Sequence, residues 1–302
     1  MGKKTKVAIA IAAASAAAWA GSKAVAKPQK RESKEILTTD RPIILANRGG
    51  ALLAPENTAS ALANAAKYDV DGFVVGVRLT KDEEIILFND ETIDRTTNGS
   101  GFVKDYTVEE LNEFNHGYNF EALDESKPFI NDPVGVLTLR EALEKYEDKL
   151  FSIEIKDAPD TYEGSLMPSK LWRLLEELDA QLRVIVRSDY SEQIDRFNLY
   201  AQNRVALGAG ESDIKKAFTA FTSQFGHLYN PKVDVFQLPL KAGLFNYDSP
   251  KFVKFLADLN VPVHYTGIDD LATMSRVARQ GAQAIVTDRP DIAATLLKKY
   301  NV

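Results

Sequence analysis

No cysteine occurs among the 302 residues. Disulfides, thiolate metal centres and cysteine nucleophiles are therefore excluded, although an exported protein can do without any of them. Histidine is nearly as scarce, with only 3 residues, His116, His227 and His264. A reaction that needs two imidazoles near neutral pH has few places to find them. A basic surplus is missing too: 37 Lys and Arg against 43 Asp and Glu leave a formal net charge of −6. Nucleic acid is consequently not an expected partner, since its binders usually carry a basic face. What the chain has in quantity is apolar material, 45% of all residues, enough for one large core.

Two stretches at the start differ from everything after them. Lys3, Lys4 and Lys6 precede an apolar run from Val7 to Gly21, Lys23 is the lone charge in the milder stretch after it, and Ala24-Val25-Ala26 offers a small-residue exit. Such a pattern predicts an apolar helix over residues 1–26 that serves as an export signal or retained membrane anchor, its N-terminus cytoplasmic. The body is then expected to be membrane-anchored on the extracytoplasmic face of the cell envelope, or secreted if the leader is cleaved. Residues 27–41 (KPQKRESKEILTTDR) are charged, lack an apolar period and predict an exposed linker. The folded body is expected over 42–302.

From Pro42 onward short apolar runs alternate with amphipathic segments. Strands are expected at Ile43 to Ala46, Val70 to Leu79, Ile85 to Phe88, Phe151 to Ile155, Val184 to Val186, Val205 to Leu207, Val233 to Gln237, Val261 to His264 and Ala284 to Val286. About eight strand-helix units over roughly 260 residues is the size of a (β/α)8 TIM barrel. No glycine-rich dinucleotide fingerprint follows the first strand, which counts against a doubly wound sheet. The expected fold is therefore α/β, a TIM barrel preceded by the N-terminal apolar helix.

The motifs fall at the ends of different strands, where barrel active sites lie. They are LANRGG (Leu45 to Gly50), PEN (Pro55 to Asn57), DGFVVGVRLTKD (Asp71 to Asp82), FNDETIDRTTNGSG (Phe88 to Gly101), SIEIK (Ser152 to Lys156) and TDRPD (Thr287 to Asp291). Their order resembles the glycerophosphodiester phosphodiesterase family, whose strands end in HRG, PEN, an E-x-D pair and HDxxxDRTT. The resemblance implies cleavage of a glycerol phosphodiester with a divalent cation such as Ca or Mg, two histidines as acid and base, and an Arg and a Lys on the phosphate. In this chain the histidine positions are Asn47 and Asn89, the E-x-D metal pair is Val74 and Gly76, and Glu154 is the metal carboxylate that remains.

An amide exchanges no proton near neutral pH, and one carboxylate is too little for a hard cation. No intact catalytic group, no functional metal site and no cofactor are therefore expected. Arg48, Glu56, Asn57 and Lys156 remain as substrate-binding residues. The expected role is a membrane-anchored pseudoenzyme of binding or regulatory type, holding a phosphodiester or phosphate-bearing lipid or polymer headgroup. Two alternatives stand beside it. One is a weakly active or altered phosphoric diester hydrolase with Arg78, on the face of Val74 and Gly76, standing in for the cation; the other is a scaffold paired with an active paralogue.

Plainer readings apply to several of these residues. Arg48 with Glu56, and Glu154 with Lys156, each make a sensible structural ion pair. Asn98-Gly99-Ser100 matches a glycosylation acceptor but reads first as a turn. If Tyr265 faces the pocket, alternation turns His264 toward the helices, and the aromatic-rich stretch from Phe221 to Tyr247 reads as loop packing.

Overall fold

The computed structural model describes residues 17–26 and 28–299. Its strands in chain order are β1 (Ile43–Asn47), β2 (Gly72–Leu79), β3 (Ile85–Leu87), β4 (Leu150–Ile155), β5 (Val184–Arg187), β6 (Ala206–Leu207), β7 (Phe236–Pro239), β8 (Lys241–Ala242), β9 (Phe245–Asn246), β10 (Val263–Thr266) and β11 (Ala284–Thr287). Parallel pairing follows chain order from β1 through β2, β4 and β5 to β6, and from β7 through β10 and β11 back to β1. A parallel bridge between Gly208 and Val235 joins β6 to β7 and closes the ring. The result is a TIM-type barrel. β3 folds back antiparallel on β2, and β8 and β9 form a separate hairpin after β7.

Between the barrel strands run helices such as Ala59–Ala66, Tyr162–Glu177, Glu211–Thr222 and Pro250–Ala257. Their starts are written locally. Thr58, Thr138, Thr161, Ser249 and Asp270 each accept a hydrogen bond from the backbone N–H three residues on, which satisfies a donor that the helix itself leaves free.

Strand alternation sorts the side chains. Ile43, Leu45, Val74, Ala284 and Val286 pack together inside the barrel, while Phe73, Val75, Val77, Phe151 and Ile153 pack against the helices. His264 lies in register with Gln237 and Ala284 and so shares their inward side, where Gln237 accepts from the Ser152 hydroxyl across the barrel. Tyr265 faces the helices, its hydroxyl donating to the Tyr247 carbonyl. This reverses the arrangement considered from sequence, because Tyr265 finds its partner in the aromatic cluster of Phe218, Phe252 and Tyr247 rather than at the mouth.

The expected linker is largely exposed and lies as a strap along the barrel floor, the end where the strands begin. Arg31 forms an ion pair of 2.6 Å with the buried Asp234 just before β7, and Asn260 donates to the Arg31 carbonyl. Leu37 closes the floor against Ile185, Ala206 and Val235, and Gln283 donates to its carbonyl. A segment held by polar bonds and one buried leucine carries no periodic apolar signal, which is why its sequence reads as a linker. Leu37→Ala should cost about 2 kcal/mol in a urea melt, the low end for a buried leucine, because the open floor can settle.

Residues 17–25 are helical and lie against the same end: the Trp19 indole donates to the Gln224 carbonyl, and Ser22 bonds His227 at 2.8 Å. Most of the expected leader, residues 1–16, lies outside the described residues. Among the described residues no helix is long and apolar enough to cross a membrane.

Candidate functional site at the barrel mouth

The C-terminal ends of β1, β4 and β5 and the turn after β3 bring together Asn47, Arg48, Asn89, Glu154, Lys156 and a residue that the sequence did not single out, Arg187. At the end of β1 the chain turns sharply. Arg48 takes a left-handed backbone, φ +50°, held by its N–H donating to the Val74 carbonyl at 2.6 Å and its carbonyl accepting from Asn57 N at 2.8 Å. A non-glycine residue in that region costs on the order of 1 kcal/mol, tolerable where the surroundings fix it. The turn delivers the guanidinium to Glu56, at 3.0 Å.

Arg48 does not have Glu56 to itself. Arg95 donates to both Glu56 oxygens, at 2.9 and 2.6 Å, and also pairs with Asp90. These carboxylates hold Arg95 above its ordinary range. Burial works against the charge on Asp90, yet Arg95 keeps its carboxyl below the usual value. Arg95 stands in plain view within DRTT, but nothing in its spacing shows that it reaches back 39 residues to Glu56.

Glu154 lies between two cations. Arg187 approaches both of its oxygens, at 2.9 and 3.2 Å, and Lys156 reaches one at 2.6 Å. Burial opposes ionisation of Glu154, but Arg187 and Lys156 outweigh it and hold the carboxyl below its ordinary range, with a further contribution from Arg48. Such a pair is expensive to desolvate and persists because its partners are complete.

The two amides are tied in as well. Asn47 donates to Asp288 at 3.0 Å. Burial, together with neighbouring Asp269, raises the Asp288 carboxyl above its ordinary range despite that bond and the charge of Arg48. Asn89 folds over Gly76, so that a Cβ on residue 76 would stand 3.0 Å from its side-chain oxygen and 3.1 Å from the Phe88 carbonyl. Beside it opens a cleft of ≈ 530 Å³ lined by Asn89, Asp90, Lys156, Asp189 and Tyr190.

Asn57 does not reach this cleft. It is 4% exposed, neither its amide nitrogen nor its amide oxygen has a partner, and its N–H ties the main chain to the Arg48 carbonyl. Arg78 lines this cleft, where it donates to Asp157 at 2.9 Å and to the Asn89 carbonyl at 3.1 Å.

The sequence profile of the glycerophosphoryl diester phosphodiesterase family matches residues 48–292. This chain belongs to that family. A glycerophosphodiester phosphodiesterase of Caldanaerobacter subterraneus is 30% identical over 268 residues, which is 86% of this chain and 99% of the relative. One of Bacillus subtilis is 26% identical and aligns over 88% of this chain and 89% of its own length. In structure, a glycerophosphoryl diester phosphodiesterase domain of Mycobacterium tuberculosis superposes with a TM-score of 0.73 at 21% identity, covering 85% of this chain and all (100%) of the domain. An Oleispira antarctica phosphodiesterase, solved with its product sn-glycerol-3-phosphate, gives 0.64 at 19%, with coverage of 87% and 98%.

The divalent cation of the phosphodiesterase family does not fit the residues present. Position 74 offers the side chain of Val74 packed on Leu45, position 76 offers hydrogen, and both oxygens of Glu154 already face Arg187 and Lys156. No cluster of three or more His, Asp or Glu side chains with the spacing of a metal site occurs among the described residues. None of the three histidines hydrogen-bonds Asn47, Asn89, Glu154 or Lys156, although His116 lines a neighbouring cleft with Glu56 and Arg95. His116 is buried edge-on to Phe88 with Nε2 on the Leu111 carbonyl, and burial lowers its pKa. His227 lies at the floor and His264 inside the barrel.

Proposed function

We propose that this member of the phosphodiesterase family binds phosphodiester or phosphate groups without hydrolysing them, acting as a binding or regulatory pseudoenzyme. The observation that carries this reading is the pairing of Glu154, the one carboxylate left of the expected metal set, with Lys156 and Arg187. A carboxylate bonded to two cations has little left to offer a third. The amides at positions 47 and 89 point the same way, since general acid and base groups each supply about 10²- to 10⁴-fold in rate and losses within one catalytic unit compound unevenly.

Lys156 lines the open cleft and Arg48 stands on Glu56 at the same mouth, so an anion there is offered two charged donors. Lipid headgroups and glycerol phosphate polymers share the chemistry that these donors recognise. The basic, apolar leader of residues 1–26 supports a tether that places the barrel outside the cytoplasmic membrane, in the cell envelope.

Calorimetric titration with glycerophosphocholine, alongside an assay for released glycerol 3-phosphate in Ca²⁺, Mg²⁺ and Mn²⁺, tests the central point. Binding without release is expected, with Arg48→Ala weakening it about tenfold, as for one charge-assisted hydrogen bond. Metal-dependent release that disappears in Glu154→Gln would show a working hydrolase instead.

A further inference from the structure

Three adjacent strands present one residue each at the same level of the mouth. Gly76 on β2 is in register with Glu154 on β4, and Glu154 is in register with Arg187 on β5. On one side of Glu154, at the position where the family pattern has a second acid, there is only hydrogen. On the other side a guanidinium covers both carboxylate oxygens. The positive charge opposite Glu154 is thus supplied by the chain itself, from the neighbouring strand.

Room for Arg187 is left just after β6. A Cβ on Gly208 would meet the Arg187 Cβ at 2.7 Å, closer than two such carbons approach, so the arginine's path upward depends on the absent side chain. The guanidinium is also not used up. Its Nε is buried without a partner, and its Nη2 stands 3.9 Å from Asp189, a residue lining the mouth cleft. A buried N–H without an acceptor is a cost that a ligand oxygen would remove.

We propose that Arg187 acts as the fixed counter-charge of this site in place of an exchangeable cation, and that with Lys156 it makes anion binding independent of divalent metal. The proposal rests on the binding reading above and goes further by naming the residue and the metal independence. A planar guanidinium suits this place because it can hold both oxygens of Glu154 along one edge and offer its remaining donor to a phosphate oxygen. Lysine, a point donor, would keep the charge and lose the fork.

The test is titration of the full chain with sn-glycerol 3-phosphate, a monoester, and glycerophosphocholine, a diester, each in EDTA and in Ca²⁺. The native chain should give the same affinity within twofold in both buffers. Arg187→Gln should lose at least tenfold in EDTA, and Ca²⁺ should not restore it, because Glu154 stays paired with Lys156 and one carboxylate is too little for a hard cation. Arg187→Lys should fall between the two. Gly208→Ala, which leaves the arginine in the chain but obstructs its path, should weaken binding in the same direction, with circular dichroism checking that each variant is folded. Native binding that requires Ca²⁺, or Arg187→Gln binding as tightly as the native chain, overturns the proposal while leaving the binding reading intact. No binding of either ester in either buffer defeats that reading itself.

Discussion

Val74→Glu should destabilise the barrel by about 3–5 kcal/mol at neutral pH, the range for an uncompensated buried charge. The wild-type side chain is 4% exposed and packed among Ile43, Leu45, Ala284 and Val286. A carboxylate there would have apolar neighbours on β1 and β11, and its register neighbours are already engaged: Ser152 on β4 gives its hydroxyl to Gln237 and Asn47 on β1 gives its amide to Asp288. Adding Gly76→Asp should deepen the loss, since the new Cβ would press on Asn89 and the Phe88 carbonyl beside Glu154. Urea melts of the single and double variants, with Val74→Leu as a control for shape, would measure this. A glutamate variant as stable as the native chain in metal-free buffer would show that the interior at this level still accepts charge. Restoring the family's acids is therefore not a matter of those positions alone: Asn89 and Arg187 have taken up the space and the charge.

The second large effect is acid loss of stability through His264. The ring is fully buried, with Nε2 against Gln283 Oε1 at 2.7 Å and Nδ1 without a partner, and burial lowers its pKa from 6.5 to about 4. The unfolded chain binds this proton from about pH 6.5 downward and the folded chain only near pH 4, so stability falls as pH drops through that window. At 1.36 kcal/mol per unit, the loss is about 3 kcal/mol by pH 4. His264→Leu gives up the bond to Gln283 but no longer titrates, so its decline between pH 7 and pH 4 should be smaller than the native decline by that amount. Taking the difference isolates the histidine from other groups. Glu154, lowered in the fold, loses its contribution only at more acid pH, whereas the raised Asp157 and Asp288 work in the opposite direction. Parallel declines for the two proteins would mean that His264 is protonated in the fold.

The barrel is legible in the sequence because its strands are short apolar runs with turn residues between them, and the motifs mark strand ends. β2 and β4 come out within a residue or two of their expected positions. β6, only 2 residues long, falls within the expected run Val205 to Leu207, whereas the hairpin of β8 and β9 leaves almost no periodic trace. At the site, residues inside a motif are readable and their partners are not. Arg187 ends the tetrad VIVR and looks like a solubilising charge at a strand end; its partner is 33 residues away on β4. Asp288 sits within TDRPD, yet only folding shows it as the acceptor for Asn47, 241 residues earlier. Asn57 is readable as part of its motif, and folding adds that its backbone takes a left-handed turn, φ +58°, whose N–H holds the Arg48 carbonyl.

The strap under the barrel sets the direction in which the molecule can be held. Tension on the N-terminus meets first Trp19 on Gln224 and Ser22 on His227, then Arg31 on Asp234 and Leu37 in the floor, all at the end opposite Arg48 and Arg187. That makes the strap a handle at the base of a cup: whatever grips it leaves the opening turned outward and unobstructed.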